Sequence, residues 1–422
     1  MYRLSQYGLL LISSLAIILI SASCIAAINH HVIPRKNGVS RNIEVPVMPA
    51  ASNFSDSPIR IMLFIGDGMG SQHRKAAAWF KYGLEGQLLM DQLPFQDWLQ
   101  TASANNAITD SAAAATAMAA GYQTNNGMIG VDPAGTALNT ILEYAQAKGM
   151  AVGLVTTVQI SHATPAAFAA HVLDRNQMTD IAMQLIDHGV NVLLGGGEDQ
   201  FLPTGTAGCF PQDGERSDGR NLITEALAAG YTYVCSSAEF DTVDPAATDY
   251  LLGLFADDGM LRPFQPDLTR MTGKAIQILS RDPDGFFLMV EGGQIDWASH
   301  DNDAINAIQD TIDFDQAVNV GASYADGNPE TLLIVSADHE TGGMDAHLNP
   351  TGLPGEDGPF MSLEGTPFYV SWSTIGHTSG DVPISARGPA AVLVNVTHQN
   401  TSVFWLMSRL IFEPLFLPLI QE

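Results

Sequence analysis

Asp110 and Ser111 stand at the mouth of a run of small residues, Ala112 to Ala120, that favours helix. A helix starting there turns its free backbone N–H groups and positive dipole end toward whatever lies beside the Ser111 hydroxyl, a setting that suits an anion. Ser111 is therefore read as a nucleophile. The plainer alternative is that Asp110 or Ser111 only caps a buried helix. Carboxylates and imidazoles elsewhere in the chain weigh against it. Asp67 follows the aliphatic run Ile59 to Ile65 in the turn Gly66-Asp-Gly-Met-Gly70, and Glu291 follows Phe286 to Val290. Asp296 and His300 are four apart, so on a helix they share a face and can grip one cation. Asp338 and His339 follow the run Leu332 to Ala337, and His377 sits in a polar loop, Gly376 to Gly380. Mixed Asp and His ligation suits zinc, whereas carboxylates with a hydroxyl suit magnesium, so two kinds of ion are implied. Two zinc ions ~4 Å apart are a recurrent device for displacement at phosphorus.

Such residues must be delivered by strand ends. The run at 59–65 predicts a buried strand with Asp67 at its carboxyl edge, where ligands bind in open α/β sheets. A helix is predicted at 71–82, another from 111, and a third from Leu138 to Lys148, followed by a strand at 151–156. Helix and strand then alternate: 177–188 with 190–194, 221–229 with 231–234, and 268–280 with 286–290. Two more strands are predicted at 331–336 and 390–396, and residues 161–165 are read as a polar loop after a strand. Residues 196–220 and 341–377, rich in Gly, Pro and polar types, are read as surface excursions rather than sheet. The pattern predicts an α/β fold, three-layer α/β/α, with a large, mostly parallel central sheet covered by helices on both faces.

Composition limits the function further. The formal charge of −27, from 45 acidic and 18 basic side chains, argues against nucleic acid or an acidic membrane surface as partner. Hydrophobic content of 46% supplies a core and excludes a disordered chain. Residues 1–27 read as an export signal, with Arg3, the apolar run Leu9 to Ile20 and the small residues Ser21 to Ser23. The mature chain is expected outside the cytoplasm, periplasmic or secreted. Cys24, directly after those small residues, is also where a bacterial lipoprotein would carry its lipid, and that anchor is the alternative. Residues 28–58 read as an arm or linker, 59–412 as one catalytic domain, and 413–422 as a C-terminal tail. The apolar stretch Leu410 to Ile420 is broken by Pro414 and Pro418, so it reads as a docked tail rather than a membrane segment. Cys209 and Cys235, 26 positions apart, could pair in an exported chain or stay as two thiols, and the spacing alone leaves both open.

With these residues in hand the chain resembles the alkaline phosphatase family from about Arg60 to about Leu410. The resemblance is carried by Phe64-Ile-Gly-Asp-Gly-Met-Gly70, Thr109-Asp-Ser-Ala-Ala-Ala-Ala-Thr-Ala117, Ser161-His-Ala-Thr-Pro165, Glu291-Gly-Gly-Gln-Ile-Asp296 to His300, Ala337-Asp-His339 and Gly376-His377, in the family's order. It implies small phosphomonoester substrates, a phosphoserine on Ser111, and two Zn2+ and one Mg2+ per chain. It assigns Arg175 to two phosphate oxygens, steadied by Asp110. One zinc falls to Asp296, His300 and His377, the other to Asp67, Asp338 and His339, and magnesium to Asp67, Thr164 and Glu291. A homodimer is implied by family analogy only.

Departures from the family's pattern matter too. His162 and Trp297 occupy two positions near the metals where one branch carries Asp and Lys. His162 is expected in the magnesium's outer shell through water, and Trp297 as a wall of the phosphate pocket or as simple packing. Only 37 residues separate His339 from His377, which predicts a small crown-type insertion. His73, His171, His188, His347 and His398 fall outside the motifs and are read as surface or packing histidines. The nearest rival activities are phosphodiesterase and sulfatase. Sulfatases carry a Cys or Ser followed two places later by Pro and then Arg, a pattern that Ser111 to Ala115 lacks. A further rival is an exported metal- or phosphate-binding protein without chemistry, against which the intact Ser111 speaks.

Overall fold

The computed structural model describes residues 58–396 and 398–412, so the export signal, Cys24, the arm and the tail from 413 lie outside the described residues. Strands β1 (Ile59–Gly66), β2 (Phe95–Leu99), β3 (Ala151–Gln159), β4 (Val192–Gly196), β5 (Thr232–Val234), β6 (Leu251–Leu254), β7 (Gly285–Gly292) and β8 (Thr331–Ser336) precede five short ones and a last long one. These are β9 (Glu340–Thr341), β10 (Asp345–His347), β11 (Asp357–Met361), β12 (Pro367–Ser371), β13 (His377–Thr378) and β14 (Val382–Arg387). The helices are α1 (Ser71–Tyr82), α2 (Ser111–Ala120), α3 (Ile141–Ala147), α4 (Ala163–Ala169), α5 (Met178–Asp187) and α6 (Leu222–Ala228). Then come α7 (Ser237–Thr242), α8 (Leu268–Leu279), α9 (Gln294–His300), α10 (Ala304–Gly327) and α11 (Ser402–Ile411).

Nine strands form the central sheet in the order β2-β14-β8-β1-β7-β3-β4-β6-β5. All neighbours pair in parallel except those of β14, which runs against both β8 and β2. The interior strands β1, β3, β7 and β8 are mostly apolar because both faces are covered, with Arg60 at the start of β1 and Thr156, Thr157 and Gln159 toward the end of β3 among the polar exceptions. Ile65 lies opposite both Glu291 and Ser336, so β1, β7 and β8 end at one level and their next residues emerge side by side. That level is where the carboxylates of the site stand.

Several elements differ from the sequence expectations, each for a local reason. Residues 390–396 are not a strand. Ala390 takes a φ of 62°, and Ala391–Val396 winds as a 3-10 helix that buries Ala391 and Val394, three apart. The sheet's last strand is instead β14. The third helix begins at Ile141, because Thr140 caps it and Glu143 reaches back to the Thr140 amide in a capping box. The loop at 161–165 is brief, since α4 already starts at Ala163 with Thr164 inside it. The excursion 341–377 does contain sheet, the antiparallel set β10-β12-β11, whose Phe368 and Val370 are buried on alternate positions. Its stem is the two-rung ribbon β9–β13, in which His377 faces Thr341 and Thr378 faces Glu340. The excursion after β4 is tied down as well, for Cys209 and Cys235 form a disulfide with Cα atoms 6.3 Å apart.

Candidate active site and metal centre

The sheet's carboxyl edge gathers residues scattered over more than 300 positions. Asp67 leaves β1, Glu291 ends β7, and Asp338 and His339 follow β8, all fully buried. Gly292 and Gly293 turn the chain directly into α9, whose Asp296 and His300 share one face. The approach demands space: at Gly68 (φ +70°) a Cβ would stand 2.7 Å from Thr341 Oγ1 and 2.9 Å from Asp296 Oδ1. His377 arrives on β13, and α4 brings Thr164 with His162 just before it.

Ser111 is the first residue of α2 and is buried, with Oγ 3.2 Å from His339 Nε2. The alternative reading of Asp110 holds together with the functional one. Its Oδ1 caps α2 by accepting from Ala113 N (3.0 Å), while its Oδ2 accepts from Gly127 N (2.9 Å) and Arg175 Nη1 (3.1 Å). Arg175 Nη2 lies 3.1 Å from His162 Nε2, so the guanidinium is held at two points beside Ser111's helix. α2 can enter so deep a place because Ala112 to Ala115 are fully buried against the equally small residues of α4. Trp297 sets its ring edge-on to His162 (6.2 Å between centroids), over Gly259, where a Cβ would meet the indole at 2.5 Å.

Three clusters of facing ligands result. In the first, His300 Nε2 and His377 Nε2 are 3.1 Å apart, with Asp296 oxygens 3.3 and 3.6 Å from them. His300 Nδ1 meets the Ile375 carbonyl and His377 Nδ1 the Thr109 carbonyl, and a carbonyl only accepts. Each ring, once its inward nitrogen is deprotonated, donates outward and turns a bare lone pair inward, the arrangement that orients metal-binding imidazoles. In the second, His339 Nε2 lies 3.5 Å from Asp67 Oδ1 and 3.3 Å from Asp338 Oδ2. In the third, Asp67 and Glu291 face His162, with Thr164 alongside on α4. His162 thus faces the third group as well, one ligand atom each of Asp67, Glu291 and His162 lying within 4.8 Å of the others.

The fit to cations rests on what these groups lack. Both oxygens of Asp67, Asp338 Oδ2, Glu291 Oε1, Thr164 Oγ1 and His162 Nδ1 are buried without a hydrogen-bond partner. Such orphans are rare in folded proteins and call for an ion. Their titration says the same. Burial, then the neighbouring Asp338 and Asp296, raises the Asp67 carboxyl well above its ordinary value. Burial likewise pushes Asp338 to about 8 and Glu291 to about 7. Burial also raises Asp296, but His300, His339 and His377 outweigh it and hold that carboxyl below the usual range. The hydrogen bond to Asp296 lifts His300 to about 9, while burial and then Arg175 drop His162 to about 3. Cations would replace the protons that this crowd of carboxylates otherwise seeks.

Every sequence-predicted site residue therefore lies in this one region, Arg175 and Trp297 at its rim. Sequence reading missed Thr156 and Thr341, whose hydroxyls donate to Glu291 and Asp296. It also missed Thr157, which holds Gly293 N at 3.1 Å. Threonines inside β-rich runs carry no distinguishing pattern. Of the remaining histidines, His73 is buried and bonded to Ser299, His347 stacks on Tyr369, and His398 is exposed. His171 and His188 lie together near Glu143.

Comparison with known proteins supplies the family. The family model described as Alkaline phosphatase matches residues 60–362. Alkaline phosphatase 3 of Bacillus subtilis is 40% identical over 300 residues, 67% of this chain and 61% of that protein, so the chain spans about three fifths of that relative. Alkaline phosphatase of Escherichia coli is 34% identical over 421 residues, 84% of this chain and 86% of that one. The solved structure of alkaline phosphatase from the Antarctic bacterium TAB5 superposes with a TM-score of 0.73 at 30% identity, covering 84% of this chain and 98% of that one. A variant of that enzyme has Mg bound in its M3 site.

Proposed function

This chain belongs to the alkaline phosphatase family, and on that premise we propose that it hydrolyses phosphate monoesters in a metal-dependent reaction through a phosphoserine at Ser111. The carrying observation is a buried hydroxyl, at the start of a helix, 3.2 Å from an imidazole that itself faces two orphaned carboxylates. Asp296, His300 and His377 would hold one zinc, and Asp67, Asp338 and His339 the other. Asp67, Thr164 and Glu291 would hold magnesium, with His162 facing the same place. Bound there, two Zn2+ and one Mg2+ per chain supply Lewis-acid stabilisation of charge on the nucleophile and on the leaving oxygen.

The chain's own residues do the rest. Arg175, braced by Asp110 and His162, presents a planar pair of donors to two phosphate oxygens. The N-terminal dipole of α2 favours the same anion. Ser111 Oγ forms a bond to phosphorus as the bond to the alcohol oxygen breaks. Water then cleaves the phosphoserine, releasing inorganic phosphate and restoring the hydroxyl. Trp297, set against His162, walls the pocket. Small phosphomonoesters are the proposed substrates.

The proposal extends to an exported enzyme, periplasmic or secreted, with an export signal at residues 1–27 and lipid on Cys24 as the alternative. The apolar run Leu9 to Ile20 and the disulfide Cys209–Cys235, which persists best in an oxidising compartment, support export. Among the described residues no helix is long and apolar enough to cross a membrane. A homodimer is proposed from family analogy alone. The decisive experiment is Ser111→Ala, assayed on an aryl phosphate monoester, diester and sulfate with metal content measured alongside. Monoester turnover should fall by about 10^4-fold or more with zinc retained. Undiminished turnover would refute the phosphoserine, and a wild type that prefers diester or sulfate would refute the substrate class.

A further inference from the structure

Away from the cage, the structure gathers a second kind of ligand set from three separate elements. Glu143 lies on α3, His171 between α4 and α5, and His188 immediately after α5. His171 Nε2 stands 3.0 Å from Glu143 Oε1, and His188 Nδ1 stands 3.8 Å from that same oxygen. One ligand atom from each residue lies within 4.8 Å of the others. Around a tetrahedral zinc, with bonds of about 2.0–2.1 Å, neighbouring ligand atoms sit roughly 3.3 Å apart. The two separations from Glu143 bracket that value.

We propose that Glu143, His171 and His188 bind one transition-metal dication of zinc-like preference, at a site separate from the catalytic cage. The first support is the orientation of His171. Its Nδ1 is 2.7 Å from the Gly130 carbonyl, which can only accept, so Nδ1 carries the ring's proton. Nε2 then turns a lone pair toward a carboxylate oxygen, and two acceptors at 3.0 Å require either an extra proton or a cation between them. The second support is rigidity. The other oxygen of Glu143 is held by Thr140 N at 2.7 Å. Gln184 clamps His171 from both sides, accepting from its amide (2.8 Å) and donating to its carbonyl (3.3 Å). Gln146 donates to the His188 carbonyl (2.8 Å), fixing the end of α5 to α3. The ligands are thus presented by tethered backbones.

Access is the third support. The side chains of His171, Glu143 and His188 are 18%, 21% and 28% exposed, enough for an ion to enter and for water to complete its shell. Two imidazoles and one carboxylate are the ligand set of many three-residue zinc sites. The site also has a structural reach. Val172, next to His171, pairs with Ile129, and Arg175 N donates to the Gly127 carbonyl (2.8 Å), whose own amide holds Asp110. An ion at His171 would therefore stiffen the two segments that carry the arginine clamp.

The test uses the full-length enzyme, loaded with zinc and magnesium and dialysed against buffered zinc. Wild type should retain one zinc equivalent per chain more than His188→Ala, with monoester turnover unchanged by the substitution. Zinc at about 100 times the dissociation constant of this site should raise the melting temperature of wild type over the variant by roughly 4 °C. Equal zinc content in a folded variant would overturn the proposal and leave an ordinary histidine–glutamate ion pair. If His188→Ala does not fold, zinc-edge anomalous scattering from wild-type crystals gives the answer without a variant. A peak among the three side chains supports the site, and its absence overturns it.

Discussion

Two of the regions in which this molecule buries carboxylates treat them in opposite ways. Along α10, Asp310 is enclosed and takes Arg262 on both oxygens, with Nε 2.9 Å from Oδ2, while Asp315 accepts the amides of Leu89 and Met90 at 3.1 and 2.9 Å. At the sheet's carboxyl edge, Asp67 has no hydrogen-bond partner for either oxygen, and Asp338 and Glu291 each leave one bare. Burying an unanswered charge is costly, so it persists only where something outside the chain answers it. Along α10 the buried carboxylates are satisfied by the chain's own donors. At the sheet's carboxyl edge they are held open, as a cation would need them.

The contrast can be broken most sharply by removing the cations. Exhaustive chelation should lower monoester turnover by on the order of 10^3-fold or more, several kcal/mol of barrier, with the far-UV spectrum kept and activity restored by zinc and magnesium. Full turnover in protein shown to be metal-free would erase the distinction. On the architectural side, Arg262→Ala strands Asp310, and urea unfolding at pH 8 should show a loss of about 3–5 kcal/mol. Burial already pushes Asp310 to about 6 even beside Arg262, so the uncompensated charge can be relieved by protonation and the loss should shrink as pH falls. A variant as stable as wild type at pH 8 would show that this pair is not what answers Asp310.

Arg175→Ala should act on binding rather than on the cage. Its expected cost is roughly 10- to 100-fold in kcat/KM, with weaker inhibition by inorganic phosphate and unchanged metal content. Loss of metal instead would place Arg175 in the architecture. The smallest effect is a slope. Glu291 (about 7), Asp338 (about 8) and His300 (about 9) all have folded values raised above their ordinary ones. A group that binds its proton more tightly when folded stabilises the fold until pH passes its folded value. Between about pH 7 and 9, above the ordinary carboxyl and histidine values, the buried Glu291 and Asp338 alone should cost cation-free protein about 1–2 kcal/mol, with a further, solvent-screened loss from the partly exposed His300. Metal-loaded protein should lose much less, and calorimetry of the two forms compares them directly. Identical slopes would mean that the cations do not take the place of those protons.

Much of this was legible in the residues because strand ends in a doubly covered sheet have a plain signature. Continuous apolar runs stop at Gly66, Val290 and Ala337, and the polar residue beyond each run belongs to the site. His300 could be paired with Asp296 from helical spacing alone. The illegible parts have equally physical causes. α10 escaped notice because Asp310 and Asp315 interrupt its apolar face, and nothing local reveals that Arg262 and two distant amides satisfy them. Residues 390–396 are apolar enough for a strand, yet the turn at Gly388 and Ala390, both at positive φ, commits them to a 3-10 turn. Sheet β10-β12-β11 was hidden by Gly358, Pro359 and Gly365 in strands and turns too short to show a period. His171 and His188 are 17 positions apart, and only the packing of α3, α4 and α5 makes them neighbours.

The ribbon of β9 and β13 has a consequence for how this architecture tolerates change. Thr341 and His377 face each other across it, Gly342 N reaches the Gly376 carbonyl at 2.9 Å, and Glu340 gathers Gly343 N and Met344 N. The excursion is thus cinched at its neck, and its tip at Gly352-Leu353-Pro354-Gly355, where Leu353 is 62% exposed, bears no mechanical load from the ligands below. Closing a longer loop over a fixed neck costs only about 0.6 kcal/mol for each doubling of length. The tip is accordingly a graft point, open to elongation, trimming or fusion, while His377 keeps its station.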